Sequence, residues 1–223
     1  MGDAKGKKSI TAENIILCEG KDDESILKHL TDKIADNLTK TQFQVMSYDG
    51  KDKLEKHMQE FHFMTGFKSV KSIVILRDSD QDMENAEKSI TEALRRAGYA
   101  VPSKLCEIAI PKGYEKHPRT AYVLMPGITT VVSGCLEDLC LDILRNPNDV
   151  RMSIAQNAIN EIEQSKELKL KNPSKNKLYT YFSLTDNLYG CKIAEAVGRK
   201  AFDFESLKLE PLRKLLIEIL ETE

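Results

Sequence analysis

The sequence lacks the CxxC cysteine pair common to redox motifs and zinc sites. Its five cysteines, Cys18, Cys106, Cys135, Cys140 and Cys191, form no CxxC and are odd in number. That argues against a disulfide framework or a zinc site and for buried free thiols in a reducing compartment. A charge excess is also missing: 33 Lys and Arg face 35 Asp and Glu, a net of −2. No global basic field exists to coat nucleic acid, so such binding must rest on a local basic patch or on metal ions that neutralise phosphate. Residues 1–8 are polar and hold no signal-peptide core, and no run approaches the ~20 apolar residues of a membrane span. The expectation is a cytoplasmic protein with no membrane partner. There is no internal repeat and no low-complexity segment. The histidines, His29, His57, His62 and His117, read as surface or packing residues.

What is present is an ordinary globular balance, 41% hydrophobic and 30% charged over 223 residues, enough for one domain with an elaboration or for two small ones. Residues 14–18 (NIILC) form a short apolar run closed by Glu19-Gly20, a buried strand meeting a turn. Ile26, Leu27, Leu30 and Ile34 then recur at helical spacing. Phe43, Val45 and Tyr48 mark a second strand before Asp49-Gly50, and Leu54, Met58, Phe61 and Met64 a second helix. Residues 71–76 (KSIVIL) give a third strand, followed by a helix that stops at Gly98; residues 120–125 (TAYVLM) give a fourth, halted by Pro126-Gly127. Alternation of continuous apolar strands with helices predicts an α/β fold, a parallel sheet covered on both faces. Beyond Pro126 only helices are expected, over 136–144, 150–162, 177–184, 192–199 and 212–220, with 166–177 (KELKLKNPSKNK) as a basic linker.

Acids fall where chemistry could use them. Ligands in open parallel sheets bind beyond the carboxyl ends of the strands. Glu19 follows the first strand, Asp78 and Asp80 follow the third, and Glu137-Asp138 open the helix after the fourth. Asp23 lies one helical turn past Glu19. Parallel strands would bring these acids to one rim. Magnesium takes oxygen ligands, usually one or two carboxylates with waters and substrate phosphates. Each acid taken singly also fits a turn or a helix cap.

Cys18-Glu19-Gly20-Lys21-Asp22-Asp23 leading into a helix, and later Ile75-Leu76-Arg77-Asp78-Ser79-Asp80, resemble the Toprim fold. That fold is shared by topoisomerases, bacterial primases, small ribosomal-RNA maturases and nucleases of the overcoming-lysogenization-defect (OLD) type. The chain is also similar, over about residues 12–220, to small stand-alone Toprim-like proteins. The similarity rests on Leu124-Met125-Pro126, on Gly134 to Asp138, on Lys177 to Tyr181 and on Gly190 to Ala196. The resemblance implies a Toprim-like α/β domain over 12–148, a helical extension packed on it over 149–223, and a flexible stretch over 1–11. It implies Glu19, Asp23, Asp78, Asp80, Glu137 and Asp138 as ligands for Mg2+ or Mn2+. It makes Glu19, Asp78, Asp80 and Lys177 the catalytic set, with Lys175 competing for the role of Lys177. Many Toprim domains have a glycine soon after the second aspartate, where this chain has Gln81-Asp82-Met83.

The activity implied is metal-assisted hydrolysis of DNA or RNA, with a phage-defence role at one further remove. The resemblance leaves room for an ABC- or SMC-type ATPase acting in trans and for a homo-oligomer. A scaffold that binds nucleic acid or a partner without turnover, a nucleotide hydrolase and an RNA-processing maturase are the alternatives. Lys21, Lys171, Lys175 and Lys177 are the expected nucleic-acid contacts. The run Lys166, Lys169, Lys171, Lys175, Lys177 reads either as a solvated linker or as a phosphate-tracking strip. Tyr179, Tyr181 and Phe182 fit base stacking or a helix with Phe182 and Leu184 in the core. Residues 101–119, rich in proline, are expected as an insert near the acidic edge, a lid or a partner surface.

Overall fold

The computed structural model describes residues 9–35, 42–129, 133–165 and 168–221. Four strands, β1 (Asn14–Cys18), β2 (Phe43–Ser47), β3 (Ser72–Asp78) and β4 (Arg119–Met125), form one sheet. The order is β2-β1-β3-β4 and every pairing is parallel. Helices α1 (Lys21–Ala35), α2 (Leu54–Phe61) and α3 (Met83–Arg96) connect them. Then follow α4 (Leu136–Asp142), α5 (Val150–Gln164), α6 (Pro173–Ser183), α7 (Ile193–Gly198) and α8 (Glu210–Glu221). The expected α/β fold with a helical C-terminal part is what the chain adopts.

Side-chain alternation along each strand separates the two faces. Ile16, Cys18, Val74, Leu76, Ala121 and Val123 face α1 and the C-terminal helices, where they share one buried cluster with Leu178, Phe182, Phe202 and Leu216. Ile15, Leu17, Ile73, Ile75 and Tyr122 face the other way, onto Met58, Phe61, Ile90 and Leu94 of α2 and α3. Burial on both faces is why the strands read as unbroken apolar runs. The C-terminal helices complete the first cluster and, among the described residues, have no separate core. Arg119 at the start of β4 donates to the Ile219 carbonyl at 3.2 Å, tying α8 to the sheet, and Asp203 N–H donates to the Ile143 carbonyl at the end of α4.

Three expectations need correction. Residues 9–11 are anchored and not loose: Ile10 is buried and donates to Thr65, and Thr11 N–H donates to the Gln44 side chain at 2.7 Å. Residues 1–8 lie outside the described residues. Residues 101–119 do not border the acidic rim; Ala109 bridges Thr120 and Cys106 N–H donates to Tyr122, so the segment lines the outer edge of β4. A crossover from α3 must deliver the chain to the amino end of β4, far from the carboxyl ends, and the insert then shields an otherwise open strand edge. The linker over 166–177 is shorter than its composition suggests. Asn172 caps Lys175 N–H at 2.8 Å and Pro173 sits at the first helical position, so α6 begins there. Lys166 lies outside the described residues.

Candidate active site at the carboxyl ends of β1 and β3

The chain leaves β1 for β2 on one side and returns to β3 on the other, so the switch in strand order lies between β1 and β3. Glu19 ends the first of these strands, and Asp78 and Asp80 end the second. The pairing Asn14 with Ser72, continued at the same offset, sets Glu19 level with Arg77.

Two loops hold Glu19. Tyr48 N–H donates to the Cys18 carbonyl at 2.9 Å and Gly50 N–H to the Glu19 carbonyl at 3.0 Å. Left-handed Asp49 (φ 61°) and Gly50 (φ 117°) then turn the chain so that Lys51 N–H reaches the Glu19 carboxylate. The other carboxylate oxygen, Oε2, is buried with no hydrogen-bond partner. Asp23 is buried and accepts Gly20 N–H on Oδ2 at 2.9 Å, closing the first turn of α1.

Asp78 is the last residue of β3, and its Oδ1 is likewise buried without a partner. Ser79 pins this end to the loop after β4, its N–H and hydroxyl both donating to the Met125 carbonyl at 2.9 and 2.8 Å. Asp80 adopts φ 51°, in the left-handed region that favours glycine. It exchanges two backbone hydrogen bonds with Gly134, at 2.8 and 2.7 Å. Its side chain is half-exposed and pairs with Lys51 Nζ at 3.2 Å.

Glu137 is buried in the first turn of α4 and pairs with Lys175 Nζ at 3.1 Å. Asp138 faces elsewhere: Oδ2 accepts Cys135 N–H at 2.9 Å and Oδ1 accepts the Ser174 hydroxyl, so it caps α4 and docks α6. Lys175 is the lysine of α6 that reaches the acids. Lys177 is two residues on, about 200° around the helix. Lys21 is exposed and pairs with Glu24 at 2.7 Å, and Lys171 lines a cavity beside the rim. Phe182 and Tyr181 are core residues and Tyr179 is half-buried, while Leu184, expected inside, is 40% exposed.

Proximity of the acids registers in their proton affinities. Burial drives the Asp78 carboxyl up to about 8, with Asp23, Glu19, Glu137 and Asp80 adding to the rise. Burial takes Asp23 to about 6, against the Gly20 N–H and with help from Glu19 and Glu137. Glu19 is also raised by burial; Arg77 opposes the rise and Asp80 adds to it. Burial works against the Lys175 charge, but Glu137 more than offsets it and the ammonium is held. Like carboxylates crowded in low dielectric cannot all ionise without a cation.

Two shielded carboxylate oxygens with no partner, in a set of hard oxygen donors, suit a divalent ion of the magnesium type. Among the described residues no three His, Cys, Asp or Glu side chains stand close enough to cage one as they are. Lys51 and Lys175 occupy Asp80 and Glu137 in its place.

Arg77 escaped the sequence reading. It is only 8% exposed, donates from Nη1 to Ser89 Oγ at 2.7 Å, and leaves Nε without a partner. A lone cation at the end of an apolar strand was the available signal.

The fold and this rim define a parallel α/β protein with an acidic centre at its topological switch point. The chain belongs to the family described as "Protein of unknown function (DUF3226)", which matches residues 13–221. No curated protein matches it. Among solved structures it is similar to the C-terminal region of the Burkholderia pseudomallei OLD protein, at 13% identity and a TM-score of 0.43, over 94% of this chain and 100% of that one. Among the described residues no helix is long and apolar enough to cross a membrane.

Proposed function

We propose that the chain is a nuclease that hydrolyses phosphodiesters of nucleic acid with Mg2+ or Mn2+ held on its acidic rim. The observation that carries this reading is the pair of shielded, partnerless carboxylate oxygens, Glu19 Oε2 and Asp78 Oδ1, at adjacent strand ends. The Toprim-like motifs at the same residues support it. Glu19, Asp78 and Asp80 are the ligands, with Asp23 and Glu137 completing the set and Asp138 holding α4 in place. A bound divalent ion would supply an acidified water and charge neutralisation for the departing oxygen.

The residues do the remainder. The second Glu19 oxygen, the one that Lys51 N–H holds, takes the proton of the attacking water, on a carboxyl whose proton affinity burial raises. Asp78 and Asp23 lose their protons when a cation arrives. Lys175, freed from Glu137, stabilises charge building on the phosphoryl oxygens. An ABC- or SMC-type ATPase in trans is the partner that the resemblance supports.

Purified protein incubated with plasmid DNA and with RNA in Mg2+ or Mn2+ tests the reading. Cleavage that disappears in chelator and in Glu19→Gln and Asp78→Asn supports it. Binding without cleavage in any divalent metal replaces it with a non-catalytic scaffold.

A further inference from the structure

The acidic rim opens onto a cavity of about 690 Å3 whose lining includes Lys51, Arg77, Asn85, Ser133, Lys171 and Asn172. Acids line it too, but most are committed. Asp80 pairs with Lys51, Asp82 caps α3 by accepting Asn85 N–H at 3.0 Å, and Asp138 holds Cys135 and Ser174. Asp52 remains. Arg77 is the unusual member: more than nine-tenths buried, at the cavity wall, with an N–H that has no acceptor. Burying a guanidinium with an unused donor is costly unless an anion completes its bonding.

Resting on the nuclease reading, we propose that Arg77, Lys51 and Lys171 form a subsite for the phosphate next to the scissile one, on a single-stranded polynucleotide. The cavity lies within the about 300–1,000 Å3 of small-ligand sites, room for one or two unpaired nucleotides and not for a double helix. Arg77 presents a fixed donor from the end of β3; its charge acts on Glu19 and it shares the cavity lining with Asp80, so a phosphate held there lies beside the metal rim. Lys51 and Lys171 line the same cavity and add point charges. Lys51 also pairs with Asp80, so its ammonium serves the rim and the strand together.

Two measurements test the subsite. In chelator and at low salt, the affinity of a fluorescent oligothymidylate is read by anisotropy across a salt series. Each phosphate contact on a single strand contributes roughly 0.7 to the slope of log affinity against log salt. Lys51→Ala and Lys171→Ala, both at surface positions, are each expected to lower that slope by roughly this amount, and Arg77→Met to weaken binding about tenfold or more. A duplex of the same length is expected to bind more weakly. With Mn2+, the same variants are expected to lower kcat/KM for oligonucleotides by a larger factor than for a thymidine nitrophenyl phosphodiester, which has no neighbouring phosphate. A methylphosphonate at the neighbouring position should reproduce the variants' effect. Salt slopes unaltered in both lysine variants, or equal affinity for duplex and single strand, would overturn the subsite. Absence of cleavage by the native protein, with the slopes changed as expected, would instead sink the nuclease reading and leave the subsite standing.

Discussion

Replacing Asp78 by Asn should make the metal-free protein more stable while removing its response to metal. Burial and four neighbouring acids lift the Asp78 carboxyl from the ordinary 3.8 to about 8. Each pH unit is worth about 1.4 kcal/mol, so near pH 8 the native state carries a penalty of at most roughly 6 kcal/mol from this group. Structural relaxation and water entry reduce that ceiling, and a gain of roughly 1–3 kcal/mol on neutralising the side chain is the working expectation. The amide can also donate to a neighbouring carboxylate. For a chain of this size, each kcal/mol moves Tm by about 2–4 °C. Thermal unfolding in chelator at about pH 8 should therefore show Asp78→Asn melting several degrees above the native protein. Excess Mg2+ or Mn2+ should raise the native Tm and leave the variant's nearly unchanged. A variant that melts lower in chelator and still gains the native increment with metal would refute the reasoning, because the crowded charge would then not be the source of strain.

Other expectations follow from the same geometry. Asp23 and Asp78 bind protons more tightly folded than unfolded, so stability falls as pH rises between about 4 and about 8; a metal-free pH series of Tm that rises across that range would contradict this. Gly134→Ala places a Cβ 2.7 Å from Asp138 Oδ2 and 2.9 Å from Pro126 Cδ, at φ 150°. It should cost on the order of 1–3 kcal/mol in denaturant titrations and weaken metal binding by displacing α4. Phe182→Ala removes a fully buried ring from the cluster that the C-terminal helices share with the sheet. It should cost about 3–5 kcal/mol and still give one unfolding transition, whereas two transitions would mean separate cores.

The fold was legible because its signals are local. The runs NIILC and SIVIL, buried on both faces, admit little besides parallel strands, and the acids that follow them had to share a rim once the strands were parallel. What escaped depends on tertiary partners. Nothing in the spacing of Glu137 and Asp138 says which of the pair caps the helix and which faces the acids; Cys135 and Ser174 decide that. Lys175 and Lys177 look equivalent in sequence, and only the phase of α6, set by Asn172 and Pro173, points the first at Glu137. Arg77 passed as a strand terminus because its significance lies in a cavity assembled from four separate segments. Nor does the sequence after Asp80 show that Asp80 takes φ 51° and exchanges two backbone hydrogen bonds with Gly134 of the neighbouring loop.

Anomalous diffraction from crystals soaked in Mn2+ bears most directly on the acidic rim. The expected result is a peak in contact with Glu19 Oε2 and Asp78 Oδ1, at oxygen distances of about 2.0–2.2 Å, with Lys51 withdrawn from Asp80. A rim that stays free of manganese at millimolar concentration, with the Lys51–Asp80 and Lys175–Glu137 pairs intact, would contradict it.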